Sequence, residues 1–235
     1  MNSTFATILE IVGTLAFAIS GIRLASAKRF DWFGAYAVGL VTAIGGGTTR
    51  ALLLNATPFW MINGSYLAVT AIALVFVAVF RRYLVHLENT FFIFDTIGLA
   101  LFVVVGVQKT IMFGFPYWVA IVMGTITGSV GSIIRDILIN EEPLLFRKDI
   151  YALACVAGGL VFWLSEALGM DNIITQSLCG CSVIIVRLLA VKYHWSLPSV
   201  HIQDVLHQGR VTCHISCTLH TDPLILSLYT VFHSL

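Results

Sequence analysis

Ala43-Ile44-Gly45-Gly46-Gly47-Thr48-Thr49-Arg50 and Gly128-Ser129-Val130-Gly131-Ser132-Ile133-Ile134-Arg135-Asp136 are two versions of one motif, and the offset between them decides the fold. Arg50 and Arg135 differ by 85, as do Gly46 and Gly131, Asn55 and Asn140, and Pro58 and Pro143. Working outward, Glu10 and Asp95, Gly13 and Gly98, Phe17 and Phe102, Gly21 and Gly106, Gly39 and Gly124, and Tyr66 and Tyr151 keep the same spacing of 85 without a gap. So many matches in one register mark an internal repeat.

The repeat lies in a chain that water would not tolerate. Of 235 residues 58% are hydrophobic and 11% charged, against roughly 25% charged in an ordinary globular domain, and the mean hydropathy is +0.93. A bilayer core of about 30 Å takes about 20 apolar residues in helix. Seven runs approach that length: Phe5 to Ile22, Trp32 to Leu54, Ser65 to Phe80, Phe91 to Val107, Phe115 to Leu138, Tyr151 to Leu168 and Ile173 to Val191. The fold class expected is all-α integral membrane, with seven transmembrane helices. The first run lacks a basic stretch before it and a cleavage site after it, so it reads as a retained helix and not as a signal peptide.

Basic residues follow the odd runs (Lys28 and Arg29; Arg81 and Arg82; Arg147 and Lys148; Lys192), while the alternate loops hold only Lys109. The positive-inside rule then puts the N-terminus outside and the C-terminus in the cytoplasm. Each repeat holds three spans, an odd number, so the second copy enters the membrane from the opposite side. The organisation expected is repeat one at 4–82, repeat two at 89–168 and a seventh helix at 173–191. Together they form a transmembrane domain at 1–192, followed by a flexible cytoplasmic tail at 193–235. Inverted repeats place a substrate or ion site near the bilayer midplane, where interrupted helices meet.

Glycine costs about 1 kcal/mol relative to alanine inside a helix, and Gly/Ser runs kink helices. Gly45, Gly46, Gly47, Gly128 and Gly131 therefore predict an interruption in the second helix of each repeat. Its freed carbonyls, with the hydroxyls of Thr48, Thr49, Ser129 and Ser132, are ligands that replace the water of a potassium or sodium ion without holding it tightly. The competing reading is that these small residues let helices approach closely. On the pore reading, leucine at Gly46 or Gly131 abolishes flux while leaving membrane insertion nearly intact.

Arg50 and Arg135 sit in apolar runs, where a central charge costs about 2.5 to 3.5 kcal/mol on insertion scales. Glu10, Asp95 and Asp136 are their acidic candidates, in gating or in structural salt bridges. Pro58 and Pro143 read as stops after the second helix of each repeat. Gly158, Gly159, Gly13 and Gly98 offer close approach between subunits.

No nucleophile with a base, no phosphate loop and no histidine within a run supports an enzyme, and a net charge of +1 gives no field for nucleic acid. Cys155, Cys179 and Cys181 lie in apolar runs and read as reduced. Cys213, His214, Cys217 and His220 are zinc-donor types at irregular spacing, and no metal is expected.

With these motifs in two copies followed by a seventh helix, residues 4 to 192 resemble the prokaryotic branch of the trimeric intracellular cation (TRIC) channels. They are also similar to related bacterial inner-membrane proteins, some linked to glycine uptake. The resemblance implies a homotrimer in the bacterial inner membrane, each subunit holding its own pore along the second and fifth transmembrane helices and passing monovalent cations, chiefly potassium. It implies no cofactor and the bilayer as partner, with potassium or sodium as permeant ions and lipid as a candidate ligand only. The basic motif of the animal members' fourth helix has no counterpart in Phe94-Asp95-Thr96-Ile97-Gly98. A secondary transporter of glycine or another small solute, with Glu10 or Asp95 as its coupling site, is the alternative, and a non-conducting assembly protein is the third class.

Overall fold

The computed structural model describes residues 3–80, 90–145 and 151–193. Arg81, Arg82, Arg147, Lys148 and the tail from residue 194, with its Cys and His cluster, lie outside them. Eight helices make up the described residues, with no strand among them: α1 (Ser3–Ala27), α2 (Trp32–Leu53), α3 (Phe59–Ile62), α4 (Ser65–Val79), α5 (Thr90–Met112), α6 (Tyr117–Leu138), α7 (Ala152–Ala167) and α8 (Asn172–Lys192).

Helix ends follow local chemistry. Asp31 caps α2 by accepting the Gly34 N–H at 2.8 Å. At the other end Asn55 takes the left-handed conformation, φ 50°, its N–H donating to Leu52 O and that of Ala56 to Ala51 O. Asn140, φ 56°, closes α6 in the same way, with Asn140 N–H on Ile137 O and Glu141 N–H on Asp136 O. Asparagine is one of the few side chains that reach this conformation readily. Arg29 after α1 and Gly114 after α5, also 85 apart, make a second such pair at φ 61° and 83°.

Four helices, Phe5–Ala27 of α1, α5, α6 and α8, are long and apolar enough to cross a bilayer. α2 has the length, 22 residues, but its Gly-Thr-Arg stretch dilutes its apolarity. α4 and α7 have 15 and 16 residues, about 23 and 24 Å of helix at 1.5 Å per residue. Large apolar side chains face outward, Trp32 and Trp118 each 70% exposed, a surface that lipid solvates and water does not.

α1, α2, α5 and α6 form the centre, α1 touching α2 and α5, and α6 touching α5 and α2. α4 packs on α1, α7 on α6, and α8 on α5 and α7. The central contacts are reciprocal. Phe17 and Phe102 stack with ring centroids 5.3 Å apart; a side-chain carbon on Gly13 would meet the Phe102 ring, and one on Gly98 the Phe17 ring. Likewise a carbon on Gly46 would strike the Thr127 carbonyl oxygen, and one on Gly131 the Thr42 carbonyl oxygen.

These contacts correct two expectations. α2 and α6 run as uninterrupted α-helix through both glycine clusters, because the glycines serve a crossing at backbone distance. Leucine at Gly46 or Gly131 would therefore part the helices before it could act on flux. The glycines expected at a subunit contact are also occupied within the chain: Gly158 faces Val183, Gly159 faces Ile121, and Gly13 and Gly98 face the stacked rings.

Alanine at Gly46 or Gly131 is expected to lower stability by about 1–3 kcal/mol, the usual cost of overpacking. Gly64, with open space where a side chain would go, serves as control. Thermal unfolding in detergent reads the difference, and equal midpoints for Gly46→Ala and Gly64→Ala would contradict the crossing.

Candidate functional site

Two buried charge clusters flank the α2/α6 crossing. On α1, Glu10 is 3% exposed, so its carboxylate must find partners inside the protein. Its Oε1 takes Arg50 Nη2 from α2 at 3.1 Å and Lys109 Nζ from α5 at 2.5 Å. The Tyr66 hydroxyl of α4 donates to Oε2 over a long 3.4 Å. Two cations thus face one carboxylate.

On α5, Asp95 is fully buried. Its Oδ1 accepts Arg135 Nη1 at 2.6 Å and the Ser132 hydroxyl at 3.0 Å, and Arg187 Nη2 of α8 stands 3.5 Å from Oδ2. Arg135 Nε donates to Asp136 Oδ1 at 2.8 Å, and its Nη1 also reaches the Ser20 hydroxyl of α1 at 2.9 Å. The Tyr151 hydroxyl donates to Ser132 Oγ at 2.9 Å. Aromatic faces complete the shell, Phe91 at 4.7 Å from the Arg135 guanidinium and Phe92 and Tyr151 at 4.8 and 4.4 Å from that of Arg187, where ring quadrupoles favour a desolvated cation. Two guanidiniums meet two carboxylates, so this cluster is balanced. Asp136 also fixes the chain after α6, its Oδ2 accepting the Leu144 N–H at 3.0 Å.

The acid and arginine of each pair are 40 residues apart, and the two pairs are 85 apart. Between them the hydroxyls lie along α2 and α6. Thr48 donates to Ile44 O at 2.7 Å, Thr49 to Gly45 O at 3.0 Å and Ser129 to Thr125 O at 2.7 Å. Because both helices are uninterrupted, the carbonyls expected to be free stay within the helix, those of Ile44, Gly45 and Thr125 accepting a hydroxyl as well, and the hydroxyls' own lone pairs are the remaining acceptors. Thr48 Oγ1 uses one of them on Trp60 Nε1 at 3.0 Å. Gly45, Gly46 and Gly131 are buried at the crossing, while Gly47 packs against the Phe59 ring of α3 and Gly128 against Leu99 and Val103 of α5.

Three charged or polar partners escape a reading of the repeat. Lys109 sits within α5, which continues to Met112, and not in a loop; Arg187 comes from the helix outside the repeat; Ser20 has valine at its matched position. A lone arginine in an apolar run was the available signal for Arg187. Tyr66 and Tyr151 are visible as a matched pair, but their contacts are not. Among the described residues no group of His, Cys, Asp and Glu could hold a metal ion.

The family model described as glycine transporter matches this chain twice, at residues 7–82 and 92–167, ends that differ by 92 − 7 = 85 and 167 − 82 = 85. The inner membrane protein YadS of Escherichia coli strain K12 is 38% identical over 83% of this chain and 96% of its own. A solved TRIC cation channel is 31% identical, with a TM-score of 0.75 over 83% of this chain and 97% of that one. The TRIC channel orthologue from Rhodobacter sphaeroides is 29% identical, with a TM-score of 0.76 over 82% and 100%.

Removing one partner of a fully buried pair costs about 3–5 kcal/mol, because a charge stays behind unpaired. Asp95→Asn is expected to cost that much, since it leaves both Arg135 and Arg187 without their shared carboxylate. Lys109→Met should cost under about 1 kcal/mol, its side chain being 30% exposed and the pair screened accordingly. Chemical denaturation of the two variants in detergent tests the order, and a reversed order would contradict the cluster assignments.

Proposed function

The chain belongs to the family described as glycine transporter and to the trimeric intracellular cation (TRIC) channel family, and from that premise we propose that it is a monovalent cation channel, passing chiefly potassium. One observation carries the reading: the chain matches a solved TRIC cation channel over nearly that channel's whole length at 31% identity.

The proposed architecture has seven spans in two inverted three-helix repeats plus a seventh helix, with α2 and α6 lining one pore in each subunit of a homotrimer. The doubled family match and the reciprocal contacts of Gly46 with Thr127 and Gly131 with Thr42 favour it, since such mutual contacts mark a two-fold relation. Thr48, Thr49, Ser129 and Ser132 supply neutral oxygens at the pore. Because Glu10 and Asp95 are each matched by arginine, selectivity rests on those oxygens and not on a bare carboxylate, which favours loosely held monovalent ions. Lys109 on Glu10 is the most exposed of the buried-cluster pairs and the contact that gating would break first.

The family model's description favours a second reading, a secondary transporter of glycine, in which Glu10 or Asp95 couples transport to an ion.

Single-channel recording on protein reconstituted in planar bilayers separates the two. Discrete ohmic currents with potassium preferred over chloride are expected. An electrically silent protein that accumulates labelled glycine against a gradient would overturn the channel. For orientation, Lys28→Cys is expected to react with an impermeant thiol reagent only from the cytoplasmic side and Phe113→Cys only from outside; the reverse pattern would invert the topology.

A further inference from the structure

A cavity of about 320 Å³ opens beside the turn between α1 and α2, against the end of α4, a volume within the ~300–1,000 Å³ of small-molecule pockets. Arg29 and Asp31 line it from the turn, and both are exposed. Neither belongs to the two charge clusters, and no ion pair joins them to each other. Arg29 has no side-chain partner among the described residues, and Asp31, whose Oδ1 accepts the Gly34 N–H, keeps Oδ2 free. One guanidinium and one carboxylate oxygen thus face the same space uncommitted.

The turn itself does not require them. Arg29 holds φ 61°, a conformation uncommon for residues other than glycine. Gly114, its match in repeat two, makes the equivalent turn with no side chain, and Pro116 stands at the match of Asp31. Arginine is therefore kept where glycine suits the backbone better, and what it adds is a guanidinium facing the cavity.

The rest of the wall narrows the ligand. Ile22 of α1 with Leu74, Val77 and Ala78 of α4 make it aliphatic, and Ser26 adds a hydroxyl. Phe30 and Trp32, 40% and 70% exposed, also line it; exposed aromatic rings, tryptophan above all, settle at the level of lipid headgroups. A simple anion would meet Asp31, a simple cation would meet Arg29, and a free amino acid would match both charges but leave the aliphatic wall bare. A phospholipid whose headgroup carries a phosphate and a primary ammonium uses all three features. Arginine pairs with phosphate through two parallel N–H bonds, and an ammonium has N–H donors for a carboxylate.

We propose that this cavity is a phospholipid site selective for an ethanolamine headgroup. Arg29 takes the phosphate, Asp31 Oδ2 the ammonium, and the side chains of α1 and α4 the start of one acyl chain. The site does not rest on the channel reading.

Native mass spectrometry of the delipidated oligomer, titrated with phosphatidylethanolamine, phosphatidylglycerol and phosphatidylcholine of identical chains, tests it. Phosphatidylethanolamine is expected to bind at least about tenfold more tightly than phosphatidylglycerol, the equivalent of about 1.4 kcal/mol, and more tightly than phosphatidylcholine, whose trimethylammonium has no N–H to donate. Arg29→Gly installs the residue of the matched turn, so it is expected to fold and yet to weaken phosphatidylethanolamine about tenfold. Asp31→Asn keeps an equally good N-cap and is expected to erase the preference over phosphatidylglycerol. Equal affinity for those two lipids in the wild type, or unchanged affinity in Arg29→Gly, would overturn the site. Displacement of the lipid by free phosphoethanolamine or glycine would assign the cavity to a soluble zwitterion, and an Arg29→Gly protein of altered oligomeric state with lipid affinity intact would assign it to a second copy of the chain; either result overturns the proposal.

Discussion

Charge buried in an apolar bundle constrains everything else in this molecule. Glu10, Arg50, Asp95, Arg135 and Arg187 are each at most 3% exposed, and none could stay ionised in hydrocarbon alone at tolerable cost. Their mutual pairing ties α1 to α2, and α5 to α6 and α8, and Lys109 on Glu10 adds the tie from α1 to α5. A slide of one helix past another by a single turn, about 5.4 Å, would break at least one of these pairs. The ion pairs thus fix the register that loosely directional packing leaves open, a role that buried polar groups take where greasy contacts discriminate poorly.

Lipid is as apolar as the helices, so burial of apolar surface does not draw them together, and packing must come from close fit. The α2/α6 crossing meets that demand by removing side chains where the backbones touch. It then puts the hydroxyls of Thr48, Thr49 and Ser129 on the same two helices that hold Arg50 and Arg135. Close approach and a row of hydroxyls are therefore products of one sequence stretch, in which glycine and hydroxyl residues are interleaved.

Much of this could be read before any coordinates. The 85-residue offset paired Glu10 with Asp95 and Arg50 with Arg135, and the structure joins each acid to its arginine. The stops at Asn55 and Asn140 were legible because asparagine and a following proline have one local meaning. What stayed hidden is what breaks the repeat. Lys109 and Ser20 reach the clusters from positions whose matched partners, Leu24 and Val105, are of a different kind, and Arg187 comes from outside the repeat, so spacing could not reveal them. The glycines were ambiguous for another reason: a kink and a close crossing demand the same residue, and only the neighbour opposite Gly46 decides between them.

The central claim is that a cation passes within each subunit, along α2 and α6. An experimental structure of the oligomer, determined with thallium replacing potassium, tests it most directly. The account predicts anomalous density inside each subunit, beside the hydroxyls of Thr48, Thr49, Ser129 or Ser132. Density confined to the axis between subunits, with none along α2 and α6, would contradict it.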